Sequence, residues 1–378
     1  MKTSYFDNSA TTRIDPQVQE VLLKTFSRVY GNPSSPHAAG REARKVIEDS
    51  RERIAGALGV HEREIIFTSG ATEANNLVFR GVGEKKGKHI ITTQIEHPSV
   101  LEVCSFLEQE GWSITRLAVN ETGRVHPADV QKAVTGETVL VSVMWANNEV
   151  GTIQPVEILG KDREYLLHSD AAQALGKIPL NLKAVDYLTL SGHKLHGPKG
   201  VGALYFRKGV PLHPLILGGG QEFEKRGGTE NVALIAGFAK AVSLAVGELS
   251  DNRKKMEEAR QRLITMIKTI PESDILGSES DRLPNLLNVS FKWVDAEALV
   301  LALDAEGVYI SSGSACSSLS TEPSHVLLAM GLPMEKAKNS VRFSVAVDTR
   351  NEEVEHLIRV LPRTVSRLRT FSEKKADG

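Results

Sequence analysis

Two periodicities alternate over the first 208 residues. Residues 42–58 set Ala43, Val46, Ile47, Ile54, Ala57 and Leu58 on one stripe, the spacing of an amphipathic helix. EIIFTSG (64–70) is a short apolar run ending in small residues, which predicts a strand leading into a loop, and ATEANNLVFRGV (71–82) then reads as a helix. HIITT (89–93) predicts a strand, PSVLEVCSFLEQEG (98–111) a helix with a glycine stop, and SITRLAV (113–119) a strand. ADVQKAV (128–134) reads as a short helix, and TVLVSVMWA (138–146) is long enough for a fully buried strand. YLLHSDAAQ (165–173), DYLTLSGHK (186–194) and GALYFRK (202–208) follow as strands. Near-continuous apolar strands alternating with helices predict an α/β fold, its mainly parallel sheet covered on both faces.

From about residue 231 the pattern changes. NVALIAGFAKAVSLAVGEL (231–249) is a long helix with a wide apolar face, and a charged helix follows over roughly 253–270. LLNVSF (286–291) predicts a strand, AEALVLALDAEG (296–307) a helix, VYIS (308–311) a short strand, and SVRFSV (340–345) a strand before a terminal helix. This predicts a smaller α+β unit. The expected division is 15–249 for a large domain, with 1–14 and 250–378 forming a small one.

Composition narrows the class. The chain has 378 residues, 41% hydrophobic and 25% charged, with a formal net charge of −1. No global basic field attracts nucleic acid or an anionic membrane. The N-terminal MKTSYFDNSATT lacks the apolar run of a secretory signal, and no apolar stretch reaches the length of a membrane span. A cytoplasmic location is the expectation. Two cysteines, Cys104 and Cys316, make neither a disulfide framework nor a metal-ligand spacing, and a reducing compartment keeps both thiols available.

Candidate chemistry gathers at predicted strand ends. In SGHKLHGPKG (191–200), Lys194 follows a strand, with Ser191 and His193 just before it. A lysine is ordinarily a solvated charge, but one held at the end of a buried strand is placed to form a Schiff base with an aldehyde cofactor such as pyridoxal phosphate. Asp170 ends another apolar strand 24 residues earlier. Alone it reads as a helix N-cap; beside Lys194 it is the carboxylate that a pyridinium nitrogen needs. TSGATEANN (68–76) joins a strand to a helix through small and hydroxylated residues, a phosphate cradle or an ordinary capped helix with Ser69 or Thr72 as cap. In IEHPSV (95–100), His97 is either a ring that stacks on a flat cofactor or a surface residue before a helix. The adjacent asparagines of ANNEVGTIQP (146–155) are costly if buried unpaired, so they bind a ligand or stabilise a turn.

Taken together, these segments resemble one family. SGHKLHGPKG, DAAQ, TSGATEANN, EHPSV, NNEVG, GGGQEFEKRGGTEN and SSGSACSSLSTEPSHVL, with YFDNSATT and YGNPSSPH near the N-terminus, are similar to the cysteine desulfurases of the NifS/IscS group over nearly the whole chain. The resemblance implies a homodimeric fold-type I pyridoxal phosphate enzyme with a mainly parallel seven-stranded sheet. It implies an enzyme that takes sulfur from L-cysteine, releases L-alanine and holds the sulfur as a persulfide. By the same resemblance Lys194 is the Schiff-base lysine, Asp170 pairs with the pyridine nitrogen, and Gln173 and Asn148 bond the ring 3′ oxygen. Asn148 also lies near the substrate carboxylate, and His97 stacks on the ring and shuttles protons. Ala71, Thr72, Ser191 and His193 hold the phosphate, Thr229 reaches the phosphate of the other subunit, and Arg342 clamps the substrate carboxylate. Cys316 is the persulfide-forming nucleophile.

The sequence also departs from the pattern. Trp145 stands where the family often has histidine, the stretch between NNEVG and HSDAAQ is short, and Ala346 and Val347 replace a Gly-Arg pair. The chain stops soon after RLRTFSEKKADG, so docking of an iron–sulfur scaffold is a weaker expectation than the chemistry. The loop of Cys316 is rich in small residues, and the segment 314–321 is expected to be poorly ordered without a partner. Cys104, inside VLEVCSFLEQ, is expected to be a small buried hydrophobe. A selenocysteine lyase, an aminotransferase-like relative in which Cys316 has no task, and a non-catalytic sulfur carrier are the rival readings.

Overall fold

The computed structural model describes residues 3–83, 87–313 and 323–376, with side chains as far as residue 370. Cys316 and the segment 314–321 lie outside the described residues.

Strand β1 (Ser4–Tyr5) is followed by α1 (Pro16–Arg28), a helix absent from the sequence reading. Its start is locally encoded: the Asp15 side chain accepts from the Gln17 N–H, and Pro16 occupies the first turn. Helix α2 (Ala38–Leu58) buries Ala43, Ile47 and Ile54 on the predicted stripe and ends at Gly59, whose φ of 69° is left-handed. Then come β2 (Ile65–Thr68), α3 (Ala71–Gly81), β3 (His89–Thr93), α4 (Pro98–Gln109), β4 (Ser113–Leu117) and α5 (Pro127–Ala133). β5 (Thr138–Ser142), α6 (Val156–Leu159), β6 (Leu166–Asp170), β7 (Tyr187–Ser191), β8 (Gly202–Phe206) and α7 (Val232–Gly247) complete the first unit.

Seven strands form one sheet in the order β2-β8-β7-β6-β5-β3-β4. β8 runs antiparallel to both neighbours and every other pairing is parallel, so the expected mainly parallel seven-stranded sheet is present. The strands β2, β3, β5 and β7 are buried along their whole length, because α3 and α4 cover one face while α7 and α2 back the other core. β5 ends at Ser142, four residues before the predicted end. Beyond it the chain stays tied to β6, with Trp145 N–H donating to Asp170 O, and the Trp145 side chain enters the core.

α8 (Leu249–Ile267) leaves α7 at a bend of 75°. β9 (Ser273–Leu276), β10 (Leu286–Phe291), α9 (Ala296–Asp304), β11 (Val308–Tyr309), α10 (His325–Ala329), α11 (Met334–Lys338), β12 (Ser340–Ser344) and α12 (Asn351–Ala376) follow. β12, β10 and β9 form an antiparallel sheet, and β1 pairs in parallel with β11. A separate apolar core gathers Phe6, Met256, Leu287, Phe291, Leu299, Phe343, Leu357 and Leu361. Among the described residues no single helix is long and apolar enough to cross a membrane.

Candidate active site

The predicted residues converge because parallel strands all deliver their carboxyl ends to one edge of the sheet. β2 leads into the Ser69–Gly70 turn, β3 into His97, β5 into Asn148, β6 ends on Asp170, and β7 leads into Lys194. There they line a cavity of about 480 Å³ with Ala71, Thr72, Gln173, Ser191, His193 and Arg342. Ser9, Ala10 and Thr11, from the N-terminal segment, close one side.

Lys194 sits in a short turn after β7, where its Nζ donates to the carbonyls of Ser9 at 2.6 Å and Ala10 at 2.7 Å. Asp170 is buried. Its Oδ1 accepts from Ala172 N–H at 2.9 Å and its Oδ2 from Asn75 Nδ2 at 2.9 Å. Each carboxylate oxygen has two acceptor sites, so the group keeps capacity toward the cavity.

The Asn75 amide links two predicted residues. It also donates to Ser99 Oγ at 2.8 Å, and Ser99 Oγ lies 2.8 Å from His97 Nδ1. The same Nδ1 accepts from Ser99 N–H, which makes His97 the side-chain cap of α4. A nitrogen that accepts a backbone N–H carries no proton of its own, so the neutral ring holds its proton on Nε2. Burial lowers the His97 pKa, Asp170 opposes the shift, and Lys194 and His325 add to it. Burial also pulls His193 down to about 4, helped by Lys194, Lys199 and Lys177.

The turn before α3 decides between cradle and ordinary cap. Its N-cap is Gly70, at φ 155° and ψ −177°, with no side-chain cap; Ser69 and Thr72 do not cap it. That backbone conformation is open essentially to glycine alone. The first N–H groups of α3 have no partner within the helix. With the hydroxyls of Thr72 and Ser191 and the His193 ring lining the same cavity, this donor set suits a phosphate.

The profile of the aminotransferase class-V family matches residues 4–357. The chain belongs to the aminotransferase class-V family. Within it, the chain is 48% identical to a cysteine desulfurase IscS of Dictyoglomus turgidum, over 99% of this chain and 97% of that protein. It is 46% identical to a cysteine desulfurase of Trichormus azollae, over 100% of this chain and 96% of that protein. A solved NifS-like protein superposes with a TM-score of 0.91 at 42% identity, covering 97% of this chain and all of that one. This class-V chain is therefore a member of the IscS- and NifS-like cysteine desulfurase group.

Within this family member, one predicted residue lies elsewhere. Thr229 is exposed and lines no part of the cavity, and Cys316 is outside the described residues. The described residues on either side of its segment are anchored at the site. Ser311 exchanges backbone hydrogen bonds with Arg342, Ser324 Oγ donates to Glu149 Oε2, and His325 Nε2 lies 3.0 Å from the Glu96 carbonyl. Arg342 is almost completely buried, with Nη1 on Asn148 O at 2.9 Å and Nη2 on Asp7 Oδ1 at 2.8 Å. Among the described residues, its Nε and the Ser9 Oγ are buried and have no hydrogen-bond partner.

Of the asparagine pair, Asn147 takes the turn role, its Oδ1 accepting from Glu149 and Val150 N–H, while Asn148 lines the cavity. Trp145 does not line it; Met144, Ala146 and Asn148 do. Cys104 is the expected buried hydrophobe, its thiol pushed up to about 12 by burial.

Sequence reasoning missed Asn75, Glu96 and Lys177. Glu96 is fully buried, accepts from Thr93 Oγ1 at 2.7 Å and from Met144 N–H, and is raised to about 8 by burial. Lys177 is buried with its Nζ on Gln173 O at 2.9 Å, and burial lowers it to about 7. A polar residue inside a motif and on the buried face of its helix is the signal that points to Asn75.

Proposed function

We propose that this chain is a pyridoxal phosphate-dependent cysteine desulfurase that takes sulfur from L-cysteine, releases L-alanine and carries the sulfur on Cys316. The observation that carries this reading is the meeting of Lys194, Asp170, His97 and the α3 N-terminus around one cavity. When bound, pyridoxal phosphate supplies an electron sink for negative charge at the substrate α-carbon. Lys194 is the amine that would hold its aldehyde carbon, Asp170 would pair with the ring nitrogen, and Gln173 and Asn148 would bond the ring oxygen. Ala71, Thr72, Ser191 and His193 would hold the phosphate.

The remaining roles belong to the chain's own groups. The Lys194 amine is the group that would act as base toward the α-carbon proton. His97 presents a neutral ring that carries its proton on Nε2 and would be the group that passes it on. Arg342 brings a buried cation for the substrate carboxylate. The anchoring of Ser311, Ser324 and His325 beside the cavity supports Cys316 as sulfur acceptor. A thiol needs local activation to attack at neutral pH, because an ordinary pKa near ~8.5 leaves only a few per cent thiolate.

The same reading extends to assembly. One protomer leaves Leu23, Phe26, Tyr30 and Leu217 largely in solvent, which supports a homodimer in which Thr229 serves the partner's site. Phe6 packs in the C-terminal apolar core and Val18 in a core of the large sheet, which supports a division into 15–249 and 1–14 with 250–378. A sulfur-accepting protein of iron–sulfur cluster assembly, in the cytoplasm, is the proposed recipient.

The test is Cys316→Ser, with bound-cofactor absorbance and alanine release from L-cysteine followed together. The expected outcome is unchanged cofactor absorbance with alanine release at least a hundredfold slower. Release at the parent rate would remove Cys316 from the reaction.

A further inference from the structure

Glu73 is an odd group to find in a phosphate cradle. It stands in the first turn of α3, two residues after Ala71, and lines the same cavity. Its side chain is 10% exposed. A carboxylate there repels a dianionic phosphate across a partly desolvated space, where charges interact several-fold more strongly than in water.

The structure supplies a counter-charge from a distant segment. Arg226 Nε donates to Glu73 Oε1 at 2.9 Å and Nη2 to Oε2 at 3.3 Å, a bidentate pair. Oε2 also accepts from Ser69 N–H at 2.9 Å. Burial alone raises the Glu73 pKa, but the Arg226 and Ser69 hydrogen bonds hold it below its ordinary value, so the carboxyl stays charged. Glu222 and Glu230 are the other acidic groups near the Arg226 guanidinium.

Glu222 is already neutralised. Arg51 takes both its oxygens at 2.7 and 2.8 Å, Phe67 N–H donates to it as well, and the Arg51 guanidinium lies over the rings of Phe67 and Phe223. This clamp holds Glu222, Phe223 and Glu224 at left-handed φ of 48°, 56° and 62°, which seats the segment carrying Arg226. Two arginine–glutamate pairs thus fasten residues 222–226 to the cofactor side of the sheet.

We propose that Arg226 is a positioning residue that cancels the Glu73 charge beside the cradle, so that phosphate binding depends on the seating of residues 222–226. This rests on the pyridoxal phosphate reading above. Thr229, which the reading above assigns to the partner's site, lies three residues further along the same segment, so on that reading cofactor binding and subunit contact share one anchor.

The experiment is equilibrium binding of pyridoxal 5′-phosphate and of pyridoxal to the full-length chain freed of cofactor, followed by visible absorbance. The chains are the parent, R226A, R226K and the double variant E73Q/R226A. R226A is expected to weaken pyridoxal phosphate at least tenfold and pyridoxal less than threefold. E73Q/R226A, with both charges gone, is expected to return within threefold of the parent, and R226K, which keeps the cation, to stay within threefold. A double variant as weak as R226A overturns the inference, as does an equal loss for both ligands. Should R226A not fold, a tenfold loss in R226K overturns it equally. A parent chain that takes up no pyridoxal phosphate overturns the cofactor reading itself.

Discussion

Strand β12 separates two regions built on opposite rules. Val341 and Phe343 face the apolar core of the C-terminal unit, while Arg342 between them points to the cavity and pairs with Asp7. On one side Phe6, Leu287, Leu299, Leu357 and Leu361 bury carbon against carbon. On the other, Asn75, Glu96, Asp170, Lys177 and Arg342 bury polar and charged groups held by hydrogen bonds to side chains and backbone. The apolar side gains stability from area removed from water. The polar side costs stability and is held in shape by its surroundings, which leaves charges and donors aimed at a ligand.

That contrast is open to direct attack. The largest effect is expected from Lys194→Ala, which should lower alanine release from L-cysteine at least a thousandfold and abolish the visible absorbance of bound cofactor. Its thermal unfolding without cofactor should stay near that of the parent. Retained absorbance with full turnover would remove Lys194 from the chemistry.

Leu361→Ala should do the reverse. It opens a cavity in the C-terminal core and should cost about 2–5 kcal/mol in denaturant unfolding. Turnover well below the melting temperature should stay within twofold. A large loss of turnover without loss of stability would show that the two regions are not separable.

The smallest effect concerns pH. His168 is fully buried between Ser142 Oγ and Thr189 Oγ1, and burial lowers its pKa to about 4. Below about pH 6.5 the unfolded chain binds a proton that the folded ring refuses. Its contribution is therefore complete above about pH 6.5 and is lost as pH falls toward 4, at up to about 1.4 kcal/mol per pH unit. His193 adds in the same direction. Urea unfolding at pH 7 and pH 5 should show the loss, and His168→Gln should reduce its slope. An unchanged slope would mean that other groups set the acid limit.

Much of the site was legible because strand-end motifs are local. Lys194, Asp170 and His97 each follow a readable apolar run, and any parallel sheet brings such ends together. What escaped was every partner supplied from far along the chain. Nothing in the spacing says that Lys194 will rest on Ser9 and Ala10, that Arg342 will meet Asp7, or that Arg226 will reach Glu73. Asn75 sat inside a motif read for its first residues only. Helix α1 went unread despite Asp15 and Pro16 at its start, because its exposed Leu23 and Phe26 blur the stripe. Trp145, which stands where the family often has histidine, turns into the core because the backbone after β5 still follows β6.

The sequence by itself determined the alternating architecture, the order of strand-end motifs and the chemistry they imply, since periodicity and local residue type are properties of neighbours in the chain. Only the tertiary structure decided how charge is balanced around the cavity. It set Asn75 between Asp170 and Ser99, whose hydroxyl lies against the His97 ring. It paired Glu73 with Arg226 and Arg342 with Asp7. The reason is physical: burial and pairing of a charge depend on which remote segments exclude water from it, and no short stretch of sequence contains that information.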